Sequence, residues 1–240
     1  MNSYFTAIDS LMKEVFSKEQ ESVEIVAGEM VKRLARGGII QLFGCGHSHL
    51  VAAEPFFRAG GLVPVQPIFI EPIMLHEGVL RSSANEKDAD FIHTFEEELS
   101  IRPEDTVIVI STSGRNPVPI DVANKAKESG AYTVSIQSLN YTASNQPARH
   151  HSNRRLEEVV DNILNTGVPV GDGLLDWEGL SYAPASGVIA NTLLHATLSR
   201  VIELMIENGV EPPIFKSANV EGSVTHNLRL IEKYGDCIKF

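Results

Sequence analysis

TVIVISTSGRNPVPIDVANKAKESGAYTVSIQS, residues 106–138, changes its pattern twice within one short span. TVIVI at its start and YTVSI near its end are β-branched runs with little polar alternation, the composition of strands covered on both faces. Between them NPVPIDVANKAKESG (116–130) reads as a helix. Pro117 suits a first helical turn, where its missing N–H is no loss, and Gly130 closes the C-terminus. Strand, helix, strand in this order is a βαβ unit and predicts a parallel sheet.

The flanking sequence repeats the theme. Upstream, IIQLF (39–43) and VPVQPIFI (63–70) read as strands, and HLVAAEPFFRAG (49–60) between them as a helix closed by Gly60 and Gly61, with a break at Pro55. Before these, Phe5, Ile8, Leu11, Met12, Val15 and Phe16, then Val23, Val26, Met30 and Leu34, recur at helical spacing and predict two amphipathic helices. Downstream, EEVVDNIL (157–164) is a further strand candidate and ASGVIANTLLHATLSRVIELMIENG (185–209) a long helix. The expected fold class is therefore α/β, a three-layer doubly wound sandwich. The expected organisation is a single domain over 1–240, with a helical N-terminal arm (1–36), an α/β core (37–209) and a C-terminal segment (210–240) that ends in a helix.

Composition narrows the partners. A chain of 240 residues, 43% hydrophobic and 21% charged, has the make-up of a globular protein with a full core. Its net charge of −11 argues against nucleic acid and against an anionic membrane, both of which attract clustered Lys and Arg. MNSYFTAIDSLMKEVFSKEQ mixes acids with apolar residues and lacks the pattern of a signal peptide, and no apolar run approaches the ~20 residues of a membrane helix. Two cysteines, Cys45 and Cys237, give neither a disulfide framework nor a thiolate metal site. A cytoplasmic location is expected.

Two loops carry the chemistry. In an open α/β sheet, ligands bind beyond the carboxyl ends of the strands. GCGHS (44–48) follows the first strand there; Gly44 and Gly46 allow close backbone approach, and Ser48 puts a hydroxyl at the start of a helix, where free N–H groups attract anions. STSGRN (111–116) follows TVIVI and sets Ser111, Thr112 and Ser113 beside Gly114. Together they suggest an oxyanion cradle. Neither loop is GxGxxG or GxxxxGK[ST], so dinucleotide and nucleoside triphosphate binding lack support.

GCGHSHLVAAEPFFRAGG and VIVISTSGRNPVPIDVANKAKESGAYTVSI resemble the two signature segments of the sugar isomerase, or SIS, domain, and the resemblance runs from about Gly37 to Ile206. Within that superfamily the chain is similar to small SIS proteins labelled as phosphoheptose isomerases. The resemblance implies a five-stranded parallel sheet, a phosphorylated sugar as ligand, and a homodimer or homotetramer. By motif position it implies sugar-phosphate contacts from Gly44, Gly46, His47, Ser48, Ser111, Thr112, Ser113 and Asn116. Metal-dependent phosphoheptose isomerases carry a His and, four residues later, a Glu on the helix after the first loop; the aligned positions here are Glu54 and Arg58. Neither a metal nor any other cofactor is expected.

Aldose–ketose isomerisation needs a base to move a proton between adjacent carbons and a group to assist ring opening. The candidates are Glu54 as base, His226 as the ring-opening group by analogy with C-terminal histidines in the superfamily, and His49, which flanks Ser48 as His47 does. His195 shares a helix stripe with Val188 and Ile202 and reads as a satisfied core residue. His76 and Glu77 follow the second strand; His150 and His151 lie in a polar loop; Gly-Asp-Gly (171–173) before Trp177 reads as a turn. The readings that follow are an isomerase acting without metal, a lyase on an N-acetylmuramic acid phosphate, and a non-catalytic phosphosugar sensor.

Overall fold

The computed structural model describes residues 2–240. Its centre is a five-stranded, all-parallel sheet with strand order β2-β1-β3-β4-β5, in which β1 is Ile40–Gly44, β2 Val65–Pro67, β3 Thr106–Ile110, β4 Tyr132–Gln137 and β5 Asn162–Asn165. Helices lie on both faces: α1 (Ser3–Leu34) and α6 (Ser186–Glu207) on one, α4 (Pro117–Glu128) on the other. The remaining helices are α2 (Ser48–Ala53), α3 (Val79–Lys87), a single turn α5 (Asn140–Ala143) and α7 (Ser223–Tyr234). This is the expected fold class.

Strand periodicity divides the core in two. Ile40, Leu42, Ile108, Ile110, Val134 and Ile136 meet Val26, Met30, Leu193 and Leu194 on the α1/α6 side. Phe43, Val107 and Val109 point the other way, against Val118, Val122 and Ala126 of α4. With both faces covered, β1 and β3 have no polar side to show, which is why their sequences run apolar without alternation.

Several boundaries differ from the sequence expectation. The two N-terminal helices are one continuous helix of 32 residues. Between the two apolar stripes the chain reads SKEQES, rich in helix formers and free of Gly and Pro. The apparent gap in the stripe is Glu19, buried at 8% exposure with Oε2 accepting the Asn165 amide of edge strand β5 at 3.0 Å. The helix after the first loop stops at Ala53, before Pro55, and does not reach Gly60. The second strand is only three residues long, because it is an edge strand that pairs with β1 alone and ends at a proline. Two elements escaped the pattern reading: α3, whose Val79 and Leu80 are exposed, and a hairpin of β6 (Gly173–Trp177) and β7 (Leu180–Pro184) that projects Trp177 into solvent.

The end of the sheet opposite the ligand edge is tied by one buried carboxylate. Asp105, fully buried, accepts from the Ile39 amide at 2.9 Å, from Gln41 Nε2 at 2.9 Å and from Arg102 Nη2 at 2.8 Å. It joins β1 to β3 below the first hydrogen-bonded pair, Ile40 with Thr106.

Candidate functional site

The strand order reverses between β1 and β3, which sit side by side with β2 on one flank and β4 and β5 on the other. Both glycine-serine loops leave the sheet at this point, from Gly44 and from Ile110, which are paired in register. That is the switch point at which open α/β sheets take ligands.

The first loop needs its leading glycine. A Cβ on Gly44 would stand 2.5 Å from the Ser48 carbonyl carbon and oxygen and 2.9 Å from the His49 amide, so any side chain would push α2 off the strand end. The tight turn through Cys45–His47 exposes His47 and presents Ser48, while α2 itself is only six residues long. Cys45 lines the cleft but is largely buried, and burial together with the charge of Glu86 pushes its thiol well above the usual cysteine range. It is held as a neutral thiol.

The second loop turns at Gly114, where φ is +59° and an added Cβ would lie 2.5 Å from Gln137 Oε1. Among the described residues, the amides of Thr112, Ser113 and Arg115 donate to no protein acceptor. The hydroxyls of Ser48, Ser111, Thr112 and Ser113 likewise have no protein partner there. These free donors matter more than the helix that follows, since Pro117 and Pro119 remove N–H groups from the first turn of α4. Loop amides and hydroxyls, with the dipole of α4 behind them, form a cradle of free donors.

A clasp holds this loop from behind. Arg155 is buried; its Nη2 donates to the Ser113 carbonyl at 2.5 Å, its Nη1 to the Gln146 carbonyl at 2.6 Å and its Nε to Glu157 Oε1 at 2.6 Å. The Leu156 amide donates to the Gly114 carbonyl at 2.9 Å and the Arg149 amide to the Arg115 carbonyl at 2.9 Å. Burial pushes Glu157 up, but hydrogen bonds from Thr142, from its own backbone amide, from Arg155 and from Gln137 outweigh it and hold the carboxyl below its usual value. With its carbonyls fixed on the clasp, the loop turns its free amides outward.

The two loops open on one cleft of about 1270 Å³, whose walls are completed by α3, the start of α6, Tyr4 and Tyr141. Of the residues singled out in sequence, Gly46, His47, Ser48, Ser111, Thr112 and Ser113 line it. Gly44 does not line it; it is the buried strand end from which the first loop leaves. Asn116 stands one step back, donating from Nδ2 to Glu86 Oε1 at 2.8 Å and accepting from Arg149 Nη1 at 3.2 Å. His49 is buried, with Nδ1 against the Gly46 carbonyl and its ring edge-on to His76. Glu54 lies one turn beyond the cleft-lining Leu50, between Arg58 and His195. His195 is thus a half-exposed partner of Glu54 and not a core residue. His226 faces the Ile214 carbonyl at 2.8 Å within the C-terminal segment and does not line the cleft.

One acid in the cleft was missed. Glu86, on α3 with Ser82 and Ser83, lines the cleft, one carboxylate oxygen fixed by Asn116 at the end of the second loop and no cation paired with it among the described residues. Its only signal in sequence is position: RSSANE follows the second strand at the ligand edge, as His76 and Glu77 do. A second cavity of about 540 Å³, walled by Phe69, Pro72, Phe91 and Phe95, lies away from the switch point and holds neither loop.

A family model described as the SIS domain matches residues 3–138. A protein of Geobacillus thermodenitrificans named UPF0309 protein is 51% identical over 240 residues, covering 99% of this chain and 96% of its own. The protein of Lysinibacillus sphaericus named UPF0309 protein in nagA 3'region is 49% identical over 235 residues, covering 98% and 96%. Among solved structures, phosphoheptose isomerase GmhA from Neisseria gonorrhoeae superposes with a TM-score of 0.56 at 17% identity, covering 84% of this chain and 96% of that one. The Vibrio vulnificus NanR protein complexed with ManNAc-6P gives 0.55 at 15% identity, covering 96% and 67%. At such identities the structural likeness establishes the fold alone.

Proposed function

The chain belongs to the SIS-domain family, and from that premise we propose that it binds a phosphorylated sugar in the switch-point cleft and interconverts its aldose and ketose forms without a metal. The observation that carries the reading is the set of unpartnered donors from Ser48, Ser111, Thr112 and Ser113, gathered where two adjacent parallel strands end. Donors left free in a folded protein are matched to an acceptor-only group, and phosphate is the one that a preorganised loop of amides and hydroxyls fits. Phosphosugar appears by name in one of the superposed structures, the NanR complex, on the same fold.

Isomerisation moves one proton between two adjacent carbons, which are the two carbons of the enediolate formed in between. Glu86 is placed for this work. It lines the cleft, and Asn116 fixes one oxygen while leaving the other to meet the substrate. His47, exposed at the lip, is the group within the cleft suited to assist ring opening. Glu54, His49 and His226 do not line the cleft of the single chain, which favours a second reading, a sensor that binds sugar phosphate without turnover. The same geometry admits a lyase in which the base removes an α-proton. We carry the homo-oligomer as a proposal as well, supported by the exposed apolar side chains Leu50 and Val188 at the cleft lip and Val224 and Leu228 on α7.

Thermal shift against phosphorylated pentoses, hexoses, heptoses and amino sugars tests binding. A ligand at a hundred times its Kd stabilises by about 2.7 kcal/mol, a rise of several degrees at this chain length. Ser113→Ala should lower the shift; Glu86→Gln should keep it. Deuterium incorporation from D2O then separates the readings: the wild type exchanges substrate hydrogen and Glu86→Gln does not. Binding without exchange would leave the sensor, and no binding by any sugar phosphate would sink the cradle assignment.

A further inference from the structure

Of the 20 Lys and Arg, ten form ion pairs among the described residues, Lys13, Lys18, Arg58 and Arg200 among them. Two of the ten that do not, Arg115 and Arg149, stand next to one another at the ligand edge. Arg115 donates from Nε to the Pro147 carbonyl at 2.7 Å and from Nη1 to Gln146 Oε1 at 3.0 Å; Arg149 donates from Nη1 to Asn116 Oδ1 at 3.2 Å. Every one of these acceptors is neutral, and neither guanidinium forms an ion pair among the described residues. The chain nevertheless brings them together, since the Arg149 amide donates to the Arg115 carbonyl at 2.9 Å. Like charges held side by side repel, and burial followed by the charges of Arg149 and Arg155 pulls the Arg115 guanidinium below its usual value. Arg155 has Glu157 as counter-charge; Arg115 and Arg149 have none.

We propose that Arg115 and Arg149 form a second oxyanion site beside the cleft, for a phosphate or carboxylate separate from the group held by the Ser111–Ser113 cradle. The neutral acceptors hold both guanidinium planes in place while leaving Nη2 of Arg115, and Nε and Nη2 of Arg149, free to donate. Planar forks of this kind match the paired oxygens of phosphate and carboxylate. Asn116 links the site to the cleft, its Oδ1 on Arg149 and its Nδ2 on Glu86, a carboxylate that lines the cleft. The anion is either a second acidic group on the ligand that occupies the cradle or a separate ion bound beside it. This goes beyond the isomerase reading and does not depend on it.

Calorimetric titration with inorganic phosphate, a hexose monophosphate and a hexose bisphosphate separates these cases, using wild type, Ser113→Ala and the double variant R115Q/R149Q. R149Q alone, at an exposed position, guards against misfolding of the double variant, and circular dichroism checks both. The wild type is expected to bind the bisphosphate at least tenfold more tightly than the monophosphate if one ligand spans both sites, or to bind inorganic phosphate alongside the monophosphate if the ion is separate. Either gain should vanish in R115Q/R149Q and fall in R149Q, while monophosphate binding changes by less than threefold. Folded variants that keep wild-type binding of both phosphate and bisphosphate would overturn the proposal. Failure of the sugar reading shows elsewhere, as monophosphate binding that Ser113→Ala leaves untouched.

Discussion

Gly114 shows how much one missing side chain decides. Its φ of +59° lies in the left-handed region, and the space a Cβ would take is filled by Gln137 Oε1 at 2.5 Å and Glu157 Oε2 at 3.1 Å. Gly114→Ala therefore meets backbone strain and a packed polar pair together, for a loss of about 1–3 kcal/mol. Urea unfolding gives the stability change and calorimetry the sugar-phosphate affinity, and both should fall. An alanine variant as stable as the wild type would mean that the loop does not turn as described. Gly44 is constrained differently, by the close approach of α2 to the strand end, and its substitution would displace Ser48 from the cleft.

At the scale of elements, the clasp of residues 146–157 over the second loop depends on an ionised Glu157. Hydrogen bonds keep its folded pKa below the ordinary 4.5, so its contribution is fully present above that value and is lost as pH falls through the depressed folded pKa. Glu157→Gln should thus be less stable than wild type at pH 6, with the gap closing as pH falls below about 4.5. Thermal midpoints of both proteins between pH 6 and pH 3 provide the check, and a gap that stays constant would remove Glu157 from the clasp. Such an element is hard to read in sequence, because NQPARHHSNRR has no apolar period and its partners near the second loop and α4 lie 29 to 42 residues away. The βαβ unit was legible for the opposite reason. Its strands are buried on both faces and its helix is bounded by Pro117 and Gly130, so local composition and tertiary role agree. The long α1 was misread where a buried Glu19, satisfied only by distant Asn165, stands in an apolar slot. Within the site, the loops that leave the sheet declared themselves through glycine and hydroxyls, whereas Glu86 rides on a helix whose apolar residues face solvent, leaving no period to find.

At the scale of the whole molecule, both terminal segments are built into the core. The arm packs along α6, Glu24 pairs with Arg200, and Glu19 caps edge strand β5. At the other edge, Leu62 bridges to Ile214, the Gly60 amide donates to the Phe215 carbonyl at 2.8 Å, and buried Ile238 brings the Lys239 amide to Gln66 of β2 at 3.3 Å. The C-terminal segment thus covers the strand edge that would otherwise invite pairing with another chain. If arm, core and C-terminal segment are one domain, as we propose, heating should give one cooperative transition, with far- and near-ultraviolet circular dichroism melting together. Tryptophan fluorescence is a poor probe here, since Trp177 sits 65% exposed on the hairpin and reports little of the core. For a homo-oligomer the midpoint should also rise with protein concentration, because association stabilises only the folded state. Two separated transitions, with near-ultraviolet signal lost before helix content, would divide the chain into independently folding parts and sink the single-domain reading.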